Sequence, residues 1–320
     1  MPMHHAASGE LPFSLDRARS FRVELTADSP VGEASIREHS IAWHPGKGRY
    51  YLAADVVPLS SPHHPNTYDT EIHLWSSADL AAWRYHGVAV EKGEPGRSYD
   101  GYGVASPAGM VFRDGKLYVP FSARCTERFD RRGIGLAWSG DEPEELPWQK
   151  SSRPISDLEG EDDDPALLAG ADDGLLHLYH RRTGAGGYRI VHTASPAPER
   201  PGSWPGAEPA TPRPAEVRAQ ELTGAFSANG KVHLFVIEHL REGGMKIAHL
   251  VSEEPEGSFV SADPGERYLS AESQPGRLAY SGHITPVVRD GRPAALFWTV
   301  FQEGKRYGLF GHPALSAGVR

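Results

Sequence analysis

One motif recurs five times along this chain, and its recurrence limits the fold more than any other feature. In Ser106–Ala123 an apolar run, an Asp114-Gly115 turn and a second run rich in aromatics spell a β-hairpin. Asp-Gly supplies the positive-φ residues that a tight two-residue turn needs. The pattern reappears from Ser40, Pro165, Leu222 and His283, and the turn glycines Gly48, Gly115, Gly174, Gly230 and Gly291 are spaced by 67, 59, 56 and 61 residues. Such a period predicts a repeat architecture in which each unit buries its faces against its neighbours. A third strand-like run follows each hairpin: Glu71–Trp83, then segments opening at Gly133, Tyr188, Met245 and Tyr307. With a short outer strand added, each repeat becomes a four-stranded blade. The expectation is an all-β, five-bladed β-propeller forming a single domain over residues 1–320. Residues 1–36 are then an N-terminal arm, in which Phe21–Thr26 alternates like a strand and is expected to pair with the last blade and close the ring.

Composition narrows the partners. The net charge is −9 and the lysines and arginines are scattered, so there is no basic stripe to hold a phosphate backbone, and nucleic acid is not expected. The single Cys125 excludes an internal disulfide and a cysteine zinc cage, and reads as a buried thiol. The N-terminus lacks the apolar core of a signal peptide, and no stretch approaches the ~18 apolar residues of a membrane span. A soluble, cytoplasmic chain with no membrane partner is therefore expected. None of the histidines falls in an HExxH-like spacing, so no His-built metal site is expected. His63, His64 and His73 read as loop residues, and His180, His233 and His239 as packing residues. Trp43, Trp75, Trp138 and Trp298 read as core.

In a propeller the innermost strands enter the central channel from one rim, so the residues opening each repeat converge. They read Glu38-His39-Ser40, Ala105-Ser106-Pro107, Asp162-Asp163-Asp164-Pro165, Gln220-Glu221-Leu222 and Gly282-His283-Ile284. Three blades deliver a carboxylate to one mouth and a fourth delivers a histidine. Gathering like charges costs stability unless a ligand, metal or proton relieves it. Such a trio suits glycoside hydrolysis, in which one carboxyl protonates the leaving oxygen and another activates water. The loops Val56–Asp69 and Val90–Gly103 are rich in Pro and Gly and are placed to roof the mouth, with Tyr68, Tyr99 and Tyr102 available to stack on a sugar.

These repeats resemble the five-bladed propeller glycoside hydrolases of the family 43 and family 32 clan, from about Arg37 to the end. The matching residues are Asp164-Pro165 opening the third blade, Glu221 with the Asn229-Gly230 turn in the fourth, Gly282-His283 in the fifth, and Ser76–Trp83 in an outer-strand segment. The resemblance implies an inverting glycosidase with Glu221 as general acid, Asp164 as the residue that tunes it, and Glu38 as base. It departs from the clan at the first blade, where Glu38-His39 stands in place of Asp-Pro; Asp100 is a substitute base. His39, Tyr99, Asp100, Tyr102, Ser106 and His283 are the expected substrate-binding residues for a small glycoside or oligosaccharide. No cofactor is required, although a structural calcium or other ion near His283 fits the resemblance. Two other readings use the same funnel: elimination or rearrangement, and sugar binding without turnover.

Overall fold

The computed structural model describes residues 13–15, 21–25, 34–58, 70–128, 130–156, 161–170, 173–184, 187–211, 214–228, 230–262, 269–270, 282–302 and 306–316. Three short strands come first, β1 (Phe13–Leu15), β2 (Phe21–Arg22) and β3 (Glu24–Leu25). The first blade comprises β4 (Ala34–His44), β5 (Arg49–Pro58), β6 (Glu71–Ser77) and β7 (Ala82–Val90). The second comprises β8 (Val104–Ala105), β9 (Val111–Arg113), β10 (Lys116–Arg124), β11 (Arg132–Trp138) and β12 (Gln149–Lys150). In the third are β13 (Asp162–Ala169), β14 (Leu176–Gly184), β15 (Gly187–Ser195) and β16 (Glu208–Pro209). The fourth holds β17 (Val217–Ala228), β18 (Lys231–Leu240), β19 (Met245–Ser252), β20 (Val260–Ser261) and β21 (Leu269–Ser270). The fifth holds β22 (Gly282–Arg289), β23 (Arg292–Gln302) and β24 (Arg306–Ser316). Within each blade the strands follow chain order from the centre outward, and the inner strands of successive blades touch around the ring, β22 closing onto β4. This is a five-bladed β-propeller. Among the described residues the only helix is a 3₁₀ turn at Pro201–Ser203, and no helix is long and apolar enough to cross a membrane.

The five turn glycines all adopt positive φ, from +61° at Gly48 to +84° at Gly115, and Asp114 and Asp290 precede theirs at +50° and +51°. A Cβ added at any of the five would meet nothing within 4 Å, so backbone conformation alone calls for glycine there. The second inner strand departs from the continuous hairpin its sequence suggests. It is split into β8 and β9 because Ser106 (φ +53°), Pro107 and Gly109 (φ +68°) cannot continue a ladder, and a Cβ on Gly109 would stand 2.6 Å from the Leu167 backbone nitrogen.

The hydrophobic core is divided into wedges, each packed between two adjacent blades. Trp75 and Trp83 are fully buried and Trp138 nearly so, whereas Trp43 is half-buried with the Arg289 guanidinium 4.2 Å above its ring. The Trp298 side chain lies outside the described residues. Around Ser77–Ala82, Ser77 Oγ accepts from the Leu80 N–H while Asp79 Oδ1 accepts from Ala81 and Ala82, which folds the turn that delivers Trp83 to the core. The N-terminal strands bridge two blades. Strands β1 and β2 pair with β24, the Val23 N–H donates to Leu309 O at 2.8 Å, and β3 runs parallel to β7 of the first blade. Thr26 lies outside the described residues.

Candidate active site

The third blade builds the electrostatic centre. Its hairpin register sets Asp162 opposite Arg182 and Asp163 opposite Arg181, so the acidic run at the start of β13 meets a basic pair near the end of β14. All three aspartates are buried. Asp162 accepts from Arg182 Nε at 2.9 Å and Nη2 at 3.2 Å. Asp163 is held by Arg181 at 2.8 Å, by Arg124 at 3.3 Å and by Arg132. Burial would raise the Asp163 carboxyl, but these three guanidinium groups hold it well below the usual range. Asp164 has a different environment. It sits at φ +49° where the β13–β14 register shifts, its N–H donates to Ser122 Oγ, and its Oδ2 lies 2.9 Å from Arg181 Nε. Burial pushes Asp164 well above the carboxylate range; the charges of Asp163, Glu221 and Glu38 add to this and outweigh Arg181.

Glu221 projects from β17 toward the same guanidinium, 3.4 Å from Arg181 Nη1, and its other neighbour is His239 Nε2 at 3.1 Å. Burial alone would raise it, but His239 and Arg181 prevail and bring it down to about 2. Burial and like charge thus raise Asp164, while His239 and Arg181 lower Glu221. Strand β4 carries Glu38 in a bulge, where it is buried 3.5 Å from His283 Nε2 of β22 and 3.6 Å from Arg37. Since Glu38 and Glu221 both act on Asp164, and His283 acts on Glu221, the openings of four blades share one mouth.

The other expected residues divide. His39 is buried, with Nδ1 2.8 Å from Thr299 Oγ1 and its carbonyl accepting from Thr285 at 2.9 Å, so it stitches the first blade to the fifth. Burial and the nearby His283 bring it down to about 3, which keeps it neutral. Ser106 is buried, and its backbone bonds to Asp55. Tyr99 turns inward instead of roofing the funnel: it stacks on Phe121 and meets Ser151 Oγ at 3.0 Å, because the inter-blade wedge takes its ring. Asp100 is buried and clamped by Lys150 Nζ at 2.6 Å, a structural ion pair that occupies the carboxylate a substitute base would need free. Tyr102 stays half-buried, its N–H donating to Arg124 O at 3.2 Å. Tyr68, His63 and His64 lie outside the described residues. Cys125 is half-buried and burial raises its thiol, which leaves it unreactive.

Sequence reasoning missed Arg181 and His239. The Asp-Asp and Arg-Arg runs flanking Gly174 were the available signal for Arg181, since a two-residue turn fixes which residues face each other. His239 belongs at the mouth rather than in packing; His233, by contrast, packs on His249 with 2.8 Å between ring nitrogens, as His177 does on His192 at 3.0 Å. His283, beside which an ion was expected, has its Nε2 3.5 Å from Glu38 Oε1. Among the described residues the one group of His, Asp or Glu ligand atoms that converges is Asp173, His177 and Glu256, far along the third and fourth blades and without His283.

No protein-family model and no curated protein matches the chain. Solved structures do. Zg3597, a family 117 glycoside hydrolase from the marine bacterium Zobellia galactanivorans, aligns over 94% of this chain and 91% of its own at 16% identity and a TM-score of 0.66. A thermostable family-43 glycoside hydrolase aligns over 92% and 95% at 19% identity and 0.67. Sucrose-6-phosphate hydrolase from Lactobacillus gasseri aligns over 95% of this chain and 61% of its own at 14% identity and 0.67. The chain has the fold of the five-bladed propeller glycoside hydrolases of families 43, 117 and 32.

Proposed function

We propose that the protein is a glycosidase acting on a small glycoside or oligosaccharide that enters the channel at the Glu38–Asp164–Glu221 mouth. The observation that carries this reading is the opposite environment of two adjacent carboxyls, Asp164 raised and Glu221 lowered, around the one guanidinium of Arg181. A raised carboxyl beside an ionised one is what a proton donor and a carboxylate that faces developing positive charge require at one pH. The fold neighbours, glycoside hydrolases by name, support the same reading. In the proposed reaction Asp164 gives its proton to the glycosidic oxygen as the bond to the anomeric carbon breaks. Glu38 takes a proton from the water whose oxygen attacks that carbon from the other side. Glu221, ionised, faces the positive charge that develops on the sugar ring. Tyr102 is the remaining aromatic candidate for stacking. The anomer of the sugar would be inverted.

The test is a panel of aryl glycosides with good and poor leaving groups, assayed with wild type, Asp164→Asn and Glu221→Gln. Loss of the donor costs ~10²–10⁴ in rate on poor leaving groups and less on good ones. That leaving-group dependence is expected for Asp164→Asn. If it appears for Glu221→Gln instead, Glu221 is the donor. Binding of sugars by calorimetry with no cleavage of any glycoside would move the protein to the sugar-binding reading.

A further inference from the structure

The bulge in β4 has an unusual partner. The ladder pairs Ile36 with Val56 and then His39 with Ala54, so Arg37 and Glu38 together face Asp55 alone. A bulge leaves a backbone N–H without a ladder acceptor. Here Asp55 Oδ1 accepts the Glu38 N–H at 2.5 Å, so the side chain of the facing residue completes the bulge that aims Glu38 into the channel. Asp55 is fully buried and the Ser106 backbone also bonds to it. One oxygen of each carboxyl, Asp55 Oδ2 and Glu38 Oε2, is buried with no hydrogen-bond partner among the described residues.

A carboxyl buried beside a like charge resists ionising, the more so the fewer cations face it. Glu38 has Arg37 at 3.6 Å and His283 at 3.5 Å, while the groups facing Asp55 are Glu38 and Arg37 from β4, the Ser106 backbone from the second blade, and the apolar Ile72 paired to it from β6. Burial, reinforced by Glu38 and opposed by Arg37, pushes Asp55 up to about 7.

We propose that Asp55 is the positioning residue of Glu38: it completes the bulge that carries the base and holds the one proton the pair shares. The base role of Glu38 rests on the glycosidase reading; the shared proton does not. The experiment combines pH-difference infrared spectroscopy between pH 5 and 8.5, thermal unfolding over the same range, and aryl glycoside hydrolysis. It compares wild type, Asp55→Asn, Asp55→Leu and Glu38→Gln. Wild type should show a protonated-carboxyl band that titrates near pH 7. Asp55→Asn, which keeps the acceptor for the Glu38 N–H and mimics the protonated form, should lose that band, gain stability relative to wild type as pH rises from 5 to 8.5, and keep kcat/KM at pH 6 within about tenfold. Asp55→Leu, which removes the acceptor, should lose roughly a hundredfold, the scale of a misplaced catalytic group. Glu38→Gln removes the like charge and should shift the band's midpoint to lower pH. Persistence of the band in Asp55→Asn, or an unmoved midpoint in Glu38→Gln, overturns the shared proton. If the band behaves as expected and no glycoside is cleaved by wild type, the glycosidase reading fails while the shared proton stands.

Discussion

Replacing Arg181 with Met tests whether one guanidinium organises the mouth. The side chain touches Asp163 at 2.8 Å, Asp164 at 2.9 Å and Glu221 at 3.4 Å, and lies 4.6 Å over the Tyr188 ring. After the substitution Asp163 keeps Arg124 and Arg132, but Glu221 keeps only His239. Glu221 is lowered from 4.5 to about 2, and at ~1.36 kcal/mol per pH unit this is worth about 3 kcal/mol. The folded value lies below the unfolded one, so this stability is present above pH 4.5 and is lost as pH falls toward 2. Without Arg181, burial is opposed only by His239 and His283, so the Glu221 value rises and the variant loses part of this stability at neutral pH, less of it once the carboxyl protonates. Breaking one partner from a buried ion cluster costs about 3–5 kcal/mol. Urea unfolding followed by tryptophan fluorescence should give a loss of that size at pH 7.5, shrinking by about 1–2 kcal/mol at pH 4.5. A loss below about 1 kcal/mol at pH 7.5, or one that grows on acidification, would refute the argument.

Two further outcomes follow from the scaffold. Gly115→Ala should lower stability by about 1–2 kcal/mol through its positive φ alone, since an added Cβ meets no neighbour; Gly115→Asn should cost visibly less in the same urea titration. Deleting residues 1–25 strips β1 and β2 from β24 and leaves that strand as a bare edge, so the melting temperature should fall and light scattering should report concentration-dependent association. A truncated chain that stays monomeric with an unchanged melting temperature would sink the closure role.

The blades were legible because a turn such as Asp114-Gly115 states its own geometry, and five of them at one period leave few ring-shaped alternatives. The convergence of Glu38, Asp164, Glu221 and His283 followed from the same logic, since inner strands start at one rim. What a strand pattern does not encode is where a ladder slips. Asp55 reads as an ordinary strand residue among Ala53, Ala54, Val56 and Val57, and only the bulge at Arg37-Glu38 brings it to the Glu38 N–H. Tyr99 and Asp100 were misplaced for a related reason: a Pro- and Gly-rich loop reads as surface, yet this one folds its tyrosine into a wedge and its aspartate onto Lys150, 50 residues away. Asp164 and Glu221 look alike in sequence; Arg181 and His239, contributed by the second strands of two blades, give them different environments.

The pairing of Phe13 with Ser316 sets an order of events for a growing chain. Blade three is complete in one contiguous stretch, Asp162 to Pro209, and needs nothing from elsewhere to finish its sheet. The fifth sheet takes its outer strands from the segment that precedes all five blades, so a segment synthesised before the blades is placed after them. At a synthesis rate of ~5–20 residues per second, the arm waits roughly 15–60 seconds for β24 to appear. Until then Phe21 and Arg22 have no β24 to join, while β3 already finds its partner β7 in the first blade. Joining partners so far apart is slow, because the loop must close before any of its contacts form. Ring closure is therefore the late, long-range step of assembly, and chaperone dependence in the cell should concentrate on that interval.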